Sequence, residues 1–210
     1  MIRRLILSAA FISGVSCDTR KIVESNNYDY GAHPIRVNYS LDDIQAFSLD
    51  DSFVLGHLSD EQLINAATIM EAPKDKAFDI STLLAIAFRE SAFKTDLISK
   101  QGDVGAFQIN ARWWWKKLGY KSRAAFTKAN QDVATNTRNA IEILKKFKKF
   151  KSCRGDNLFA CYNGGPGWRL SKNVEKIKAY QKRVIRARYL IKRHMKRWKR
   201  DISSEQGRSP

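Results

Sequence analysis

From residue 59 onward, apolar residues recur at helical spacing, and the gaps between those runs carry turn formers. Ser59 followed three residues later by Gln62 has the form of a capping box, which predicts a helix from about 60 to 72 that ends before Pro73. Ile80, Leu83, Leu84, Ala87 and Phe88 fall at i, i+3, i+4, i+7 and i+8. They predict a second helix over about 80–93, with Asp79 or Ser81 as its cap. Residues 99–110 lose that period, and Gly102 and Gly105 among them predict a loop or hairpin. Periodicity returns over 131–150, where Val133, Thr137, Ala140, Ile141, Leu144 and Phe147 keep one face apolar. A short helix over 158–162 should stop at Asn163-Gly164-Gly165-Pro166-Gly167. A last helix, about 173–199, carries Ile177, Val184, Ile191 and Trp198 at seven-residue intervals. The outline is mainly α, with one small irregular or β element near 100–110.

The chain before residue 59 reads differently. Met1-Ile2-Arg3-Arg4 is basic, and residues 5–16 form an apolar, small-residue run of 12. A bilayer span needs about 20 such residues. The order of charge, apolar run and small residues predicts a secretory signal peptide rather than a buried N-terminal helix. Residues 18–58 are polar and lack helical period, so they read as a tether with a short strand around 35–39. The organisation predicted is a signal at 1–17, a tether at 18–58, one globular unit at 59–182 and a basic extension at 183–210.

Composition supports one packed domain: the chain has 210 residues, 43% of them hydrophobic. Charge divides it. Residues 1–140 carry 17 Lys and Arg against 16 Asp and Glu, whereas residues 141–210 carry 21 against 5. The basic half calls for an anionic partner: nucleic acid, anionic lipid or an acidic wall polymer. Export would leave Cys153 and Cys161 as a pair, either a disulfide or two buried thiols. His33, His57 and His194 lie far apart in sequence and show no ligand spacing, so no metal site and no cofactor is expected.

A general acid must still hold its proton near neutrality. Glu90 sits at the end of an otherwise apolar helix, where the negative pole of the helix dipole disfavours its charge. Alone it would read as a surface residue. It is followed by Ser91, then by Gly105-Ala106-Phe107-Gln108-Ile109-Asn110, then by Ala160-Cys161-Tyr162-Asn163-Gly164-Gly165. A Glu-Ser pair, a Gly-x-x-Gln segment and an Ala-x-Tyr-Asn-x-Gly segment, in that order, resemble the family 1 lytic transglycosylases. Asn130-Gln131-Asp132 is similar to the Asn-led start of a helix in that family, and the resemblance spans about 60–182.

The resemblance implies a lysozyme-like α+β domain that cleaves the MurNAc–GlcNAc bond of peptidoglycan and leaves 1,6-anhydro-MurNAc ends. Glu90 would be the catalytic acid/base. Ser91 would orient the substrate or Glu90, Gly105 would keep its loop close to the sugar, and Gln108 would line the cleft. Tyr162 would hydrogen-bond near Glu90, and Asn163 would help hold its turn. No metal or other cofactor is implied.

Residues 102–114 also resemble the active-site hairpin of animal-type lysozymes, in which the residue matching Asp103 is a second carboxylate. On that reading the chain is a muramidase using Glu90 and Asp103; otherwise Asp103 is a turn residue bonding its own loop. Of the three consecutive tryptophans, Trp113 is the candidate sugar-stacking wall. Gly14-Val15-Ser16-Cys17 resembles a bacterial lipobox, except that Gly14 stands where Leu is usual. Lipidation of Cys17 and ordinary signal cleavage therefore both stay open. The expected partners are peptidoglycan strands and, through the basic helix, anionic membrane or envelope polymers, with no nucleic acid expected. The expected location is the periplasm or cell envelope. A non-catalytic, envelope- or glycan-binding protein with a basic tail is the open alternative of another class.

Overall fold

The computed structural model describes residues 58–71 and 78–206, with side chains of the last helix described through Arg193 and at Met195. The signal, Cys17, the tether up to residue 57 with its 35–39 strand, and the side chain of Trp198 lie outside the described residues. Leu58, expected as the last tether residue, belongs to the core.

The elements in chain order are α1 (Asp60–Glu71), α2 (Ile80–Ser91), β1 (Asp103–Val104), β2 (Ile109–Asn110), α3 (Ala111–Trp114), α4 (Arg123–Ala129), α5 (Val133–Lys148), α6 (Asn157–Gly164) and α7 (Val174–Gln206). Short 3-10 turns at Lys151–Cys153 and Trp168–Leu170 flank α6. The fold is mainly helical, with one two-stranded antiparallel sheet. Helices α3 and α4 did not stand out in the sequence; each has at most two turns, too short to display a period.

Local signals start the helices. Ser59 and Gln62 form the reciprocal capping box: the Ser59 N–H donates to Gln62 Oε1 at 2.7 Å, and the Gln62 N–H to Ser59 Oγ at 3.3 Å. Asp79 caps α2 by accepting the Ser81 N–H at 3.0 Å, and Asp132 caps α5 by accepting that of Thr135 at 2.7 Å.

Helix α2 is the centre of the domain. Seven consecutive residues, Ser81 through Ala87, are buried, because α1 packs on one side of α2 and α7 on another. A helix apolar all round is stable only when enclosed in this way. It ends at Ser91, two residues before the expected limit, because Ala92 and Phe93 turn left-handed at φ 51° and 66°. Helix α7 packs on α2 and α6 through Ile177, Tyr180, Val184, Ala187 and Ile191, all buried. The heptad read from sequence is therefore half of a seam whose other half holds a tyrosine.

Cys153 and Cys161 form a disulfide (S–S 2.05 Å, Cα–Cα 5.7 Å) that ties the middle of α6 to the turn before it. Ser152 reinforces this corner: its hydroxyl donates to Pro166 O at 2.8 Å, and its carbonyl accepts the Trp168 Nε1–H at 3.4 Å.

Candidate active site

Residues from α2, the hairpin, α6 and α7 meet at the C-terminal end of α2. The hairpin pairs Asp103 with Asn110 and Val104 with Ile109, and reverses at Gly105 (φ 75°). Glycine is required there on two grounds. The conformation is left-handed, and a Cβ would collide with the Asn130 carbonyl oxygen and lie 2.8 Å from Asn136 Cγ.

Asn136 is fully buried and anchors the turn. Its Oδ1 accepts the Phe107 N–H at 2.7 Å, while its Nδ2 donates to Val104 O at 3.2 Å and Asn130 Oδ1 at 3.0 Å. Two carbonyls of the turn then receive hydroxyls from the helices. Ser91 Oγ donates to Ala106 O at 2.8 Å, and Tyr162 Oη to Phe107 O at 2.7 Å. The hairpin is thus fastened to α2, α5 and α6.

Glu90 lies in the last turn of α2, partly buried. Desolvation by burial raises its carboxyl from 4.5 to about 7. The hydrogen bond from Tyr180 Oη to Glu90 Oε1, 2.5 Å long, works the other way. The negative charge of Asp103 adds to the rise, and Arg89 opposes it. A carboxyl of this kind holds a proton on a large fraction of molecules at neutral pH, which suits a general acid/base. Tyr180 and Tyr162 are both pushed well above the usual phenol range, by burial first and then by the charge of Glu90. Both stay neutral hydroxyl donors.

Asp103 is held quite differently. Its two oxygens accept from Ser99 Oγ and Asn110 Nδ2, each at 2.7 Å, and its backbone N–H donates to Ser99 Oγ at 3.0 Å. Both oxygens serve the hairpin.

The other expected residues fall into two groups. Ser91 and Gln108 give their donors to backbone: besides the Ser91 bond, Gln108 Nε2 donates to Gly105 O at 2.9 Å and to Leu97 O at 3.0 Å. These bonds brace the hairpin, and Gln108 itself is left-handed at φ 45°. Asn163 is exposed and does not hold its turn among the described residues; the Gly165 N–H to Cys161 O bond (2.8 Å) and Ser152 do. Trp113 is 60% exposed, and the Arg112 guanidinium lies over one face of its ring, 5.2 Å from the centroid. Trp114 instead packs edge-on against Phe147.

Sequence reasoning missed Tyr180. Its signal was its place at the second position of the α7 seam: a residue with a hydroxyl in an otherwise apolar stripe needs a buried partner. Among the described residues, no group of His, Cys, Asp and Glu could hold a metal ion.

An enclosed helix faced by a small antiparallel hairpin and backed by helices is a lysozyme-like α+β arrangement. The chain belongs to the transglycosylase SLT domain family, whose model matches residues 67–185, more than half of its length. Membership gives it a transglycosylase-type activity on peptidoglycan. No curated protein and no solved structure matches it significantly.

Proposed function

We propose that the protein is a lytic transglycosylase that cleaves the MurNAc–GlcNAc bond without water and leaves 1,6-anhydro-MurNAc ends. Glu90 gives its proton to the bridging oxygen as the C1–O bond breaks, and the substrate's own acetamido carbonyl supports C1. The Glu90 carboxylate then takes the proton of the C6 hydroxyl while that oxygen closes on C1. The proton returns to Glu90 and the cycle balances. Tyr180 steadies the carboxyl and stabilises its charge between the two transfers. Tyr162 fixes the turn opposite, and Trp113 offers a face to a sugar ring.

The observation that carries this reading is the contrast between the two nearby carboxyl groups. Glu90 is desolvated, with its carboxyl raised to about 7, while both oxygens of Asp103 are occupied by neutral donors of its own hairpin. The second reading, a muramidase with Asp103 as the other carboxylate, draws on the charge of Asp103 acting at Glu90. Digestion of purified peptidoglycan followed by mass spectrometry of the new ends separates them. Anhydro ends are expected, and reducing ends would overturn the reading in favour of the muramidase.

The same reading puts the enzyme in the cell envelope after export. The Cys153–Cys161 disulfide supports it, since such bonds persist in oxidising compartments. Attachment through a lipidated Cys17 is a further part of the proposal, tested by the mass of the mature N-terminus. Residues 176–200 carry twelve Lys and Arg and no Asp or Glu, and Lys182, Arg193 and Tyr189 are exposed on α7. This charge supports contact with anionic envelope surfaces.

A further inference from the structure

The exit of α2 contains two consecutive left-handed residues, neither of them glycine: Ala92 at φ 51° and Phe93 at φ 66°. A residue with a Cβ adopts that region at a cost, and a pair needs outside support. Helix α1 supplies it to both. Gln62 Nε2 donates to the Ala92 carbonyl at 2.7 Å, and Asn65 Nδ2 to the Phe93 carbonyl at 2.9 Å. Asn65 is buried, on a helix whose other buried residues are all apolar. The reaction proposed above uses neither amide.

We propose that Gln62 and Asn65 are positioning residues for Glu90: from α1, outside the catalytic cleft, they clamp the left-handed turn that fixes where α2 ends and where its last carboxyl points. The inference rests on the reading of Glu90 as the acid/base. Without the clamp, the relaxed alternative is right-handed backbone continuing the helix or an extended exit. Either would move Phe93, whose fully buried ring packs 5.8 Å from that of Phe88, and would disturb the turn containing Glu90 and Ser91. The bond from Ser91 to the hairpin would shift with it.

Electrostatics make the clamp separable from the rest of the site. The groups that act on Glu90 are Tyr180 on α7, Asp103 on the hairpin and Arg89 on α2 itself; Tyr162 on α6 feels its charge. None lies on α1, and both clamp residues are neutral. Their removal changes no charge facing Glu90, so a change in its titration reports a change in its position or solvation.

The test uses the full chain and the variants Gln62→Ala, Gln62→Ala/Asn65→Ala, and each combined with Ala92→Gly. Glu90 is followed by NMR of its labelled carboxyl as pH is varied, alongside kcat and KM on glycan fragments and a thermal melt. The double variant should lower the Glu90 midpoint by about half a unit or more toward the ordinary carboxylate value, as desolvation is relieved. It should lower kcat about tenfold, a size consistent with a misplaced catalytic group, with KM nearly unchanged. Glycine at position 92 accepts positive φ without strain, so Ala92→Gly should restore most of the midpoint and of kcat. An unmoved midpoint and kcat in the folded double variant would overturn the proposal, as would a loss that Ala92→Gly does not relieve. If the double variant does not fold, Gln62→Ala alone is read by the same two criteria. Glu90→Gln runs beside them: if it cleaves like the parent, the acid/base reading falls, while the NMR midpoint still decides the clamp.

Discussion

The end of α2 and the neck of the hairpin each present a carboxyl group, and the protein handles them in opposite ways. At the end of α2, Glu90 is desolvated and receives one hydrogen bond, from a phenol anchored in the α7 seam. At the neck, Asp103 receives a hydroxyl and an amide, and its own N–H is bonded to the same serine. Burial with a single donor pushes the Glu90 carboxyl up toward its protonated form. Two acids brought close by the fold thus stand in different settings: one is desolvated at a helix end, the other is bonded across a turn.

The largest effect expected from breaking that division is at Glu90. Glu90→Gln should cut glycan cleavage at least ~10³-fold, which corresponds to about 4 kcal/mol of barrier, while wall binding persists. Equal cleavage by the variant in a muropeptide release assay would end the assignment. The same change has a signature in stability. Because the folded carboxyl titrates near 7 and the unfolded one near 4.5, the native state binds more protons between these values, and stability falls as pH rises through that window. Glu90→Gln should therefore be more stable than the parent at pH 8, by on the order of 1–3 kcal/mol, and equal to it at pH 4. Chemical denaturation at the two pH values checks this.

At the hairpin, Gly105→Ala should destabilise the fold by about 2–4 kcal/mol, since it adds both φ strain and a clash with the Asn130 carbonyl. A melt unchanged within error would show that the turn can move. Asp103→Asn sharpens the comparison. It should cost about 1 kcal/mol through one weakened hydrogen-bond pair. Cleavage should stay within about tenfold, still giving anhydro ends. Complete loss in that variant would make the hairpin carboxylate part of the reaction. The smallest effect is expected from Tyr180→Phe. Its hydroxyl lowers Glu90, so without it the carboxyl should titrate higher and the basic limb of the pH–rate profile should move up by about half a unit to one unit.

Helix identities were legible in the sequence wherever period and punctuation agreed. The Ser59–Gln62 box, the Asp79 cap and the glycine cluster after Tyr162 each act over a few residues, and each appears where local chemistry puts it. The short α3 and α4 lacked enough turns to show a period, and the end of α2 was misplaced because Ala92 and Phe93 are not residues that advertise a left-handed turn. Glu90, Ser91, Gln108 and Tyr162 could be singled out from their motif order. What each touches could not be, and Ser91 and Gln108 prove to brace backbone.

The sequence by itself determined the order of the longer helices, the caps that start them and the uneven charge. These are properties of composition and of neighbours within one or two turns. Only the tertiary structure decided the setting of each carboxyl: Glu90 is desolvated and meets one donor 90 residues away on α7, whereas Asp103 is bonded by donors four and seven residues away. Desolvation is a property of the surroundings, and no residue carries its surroundings in its name.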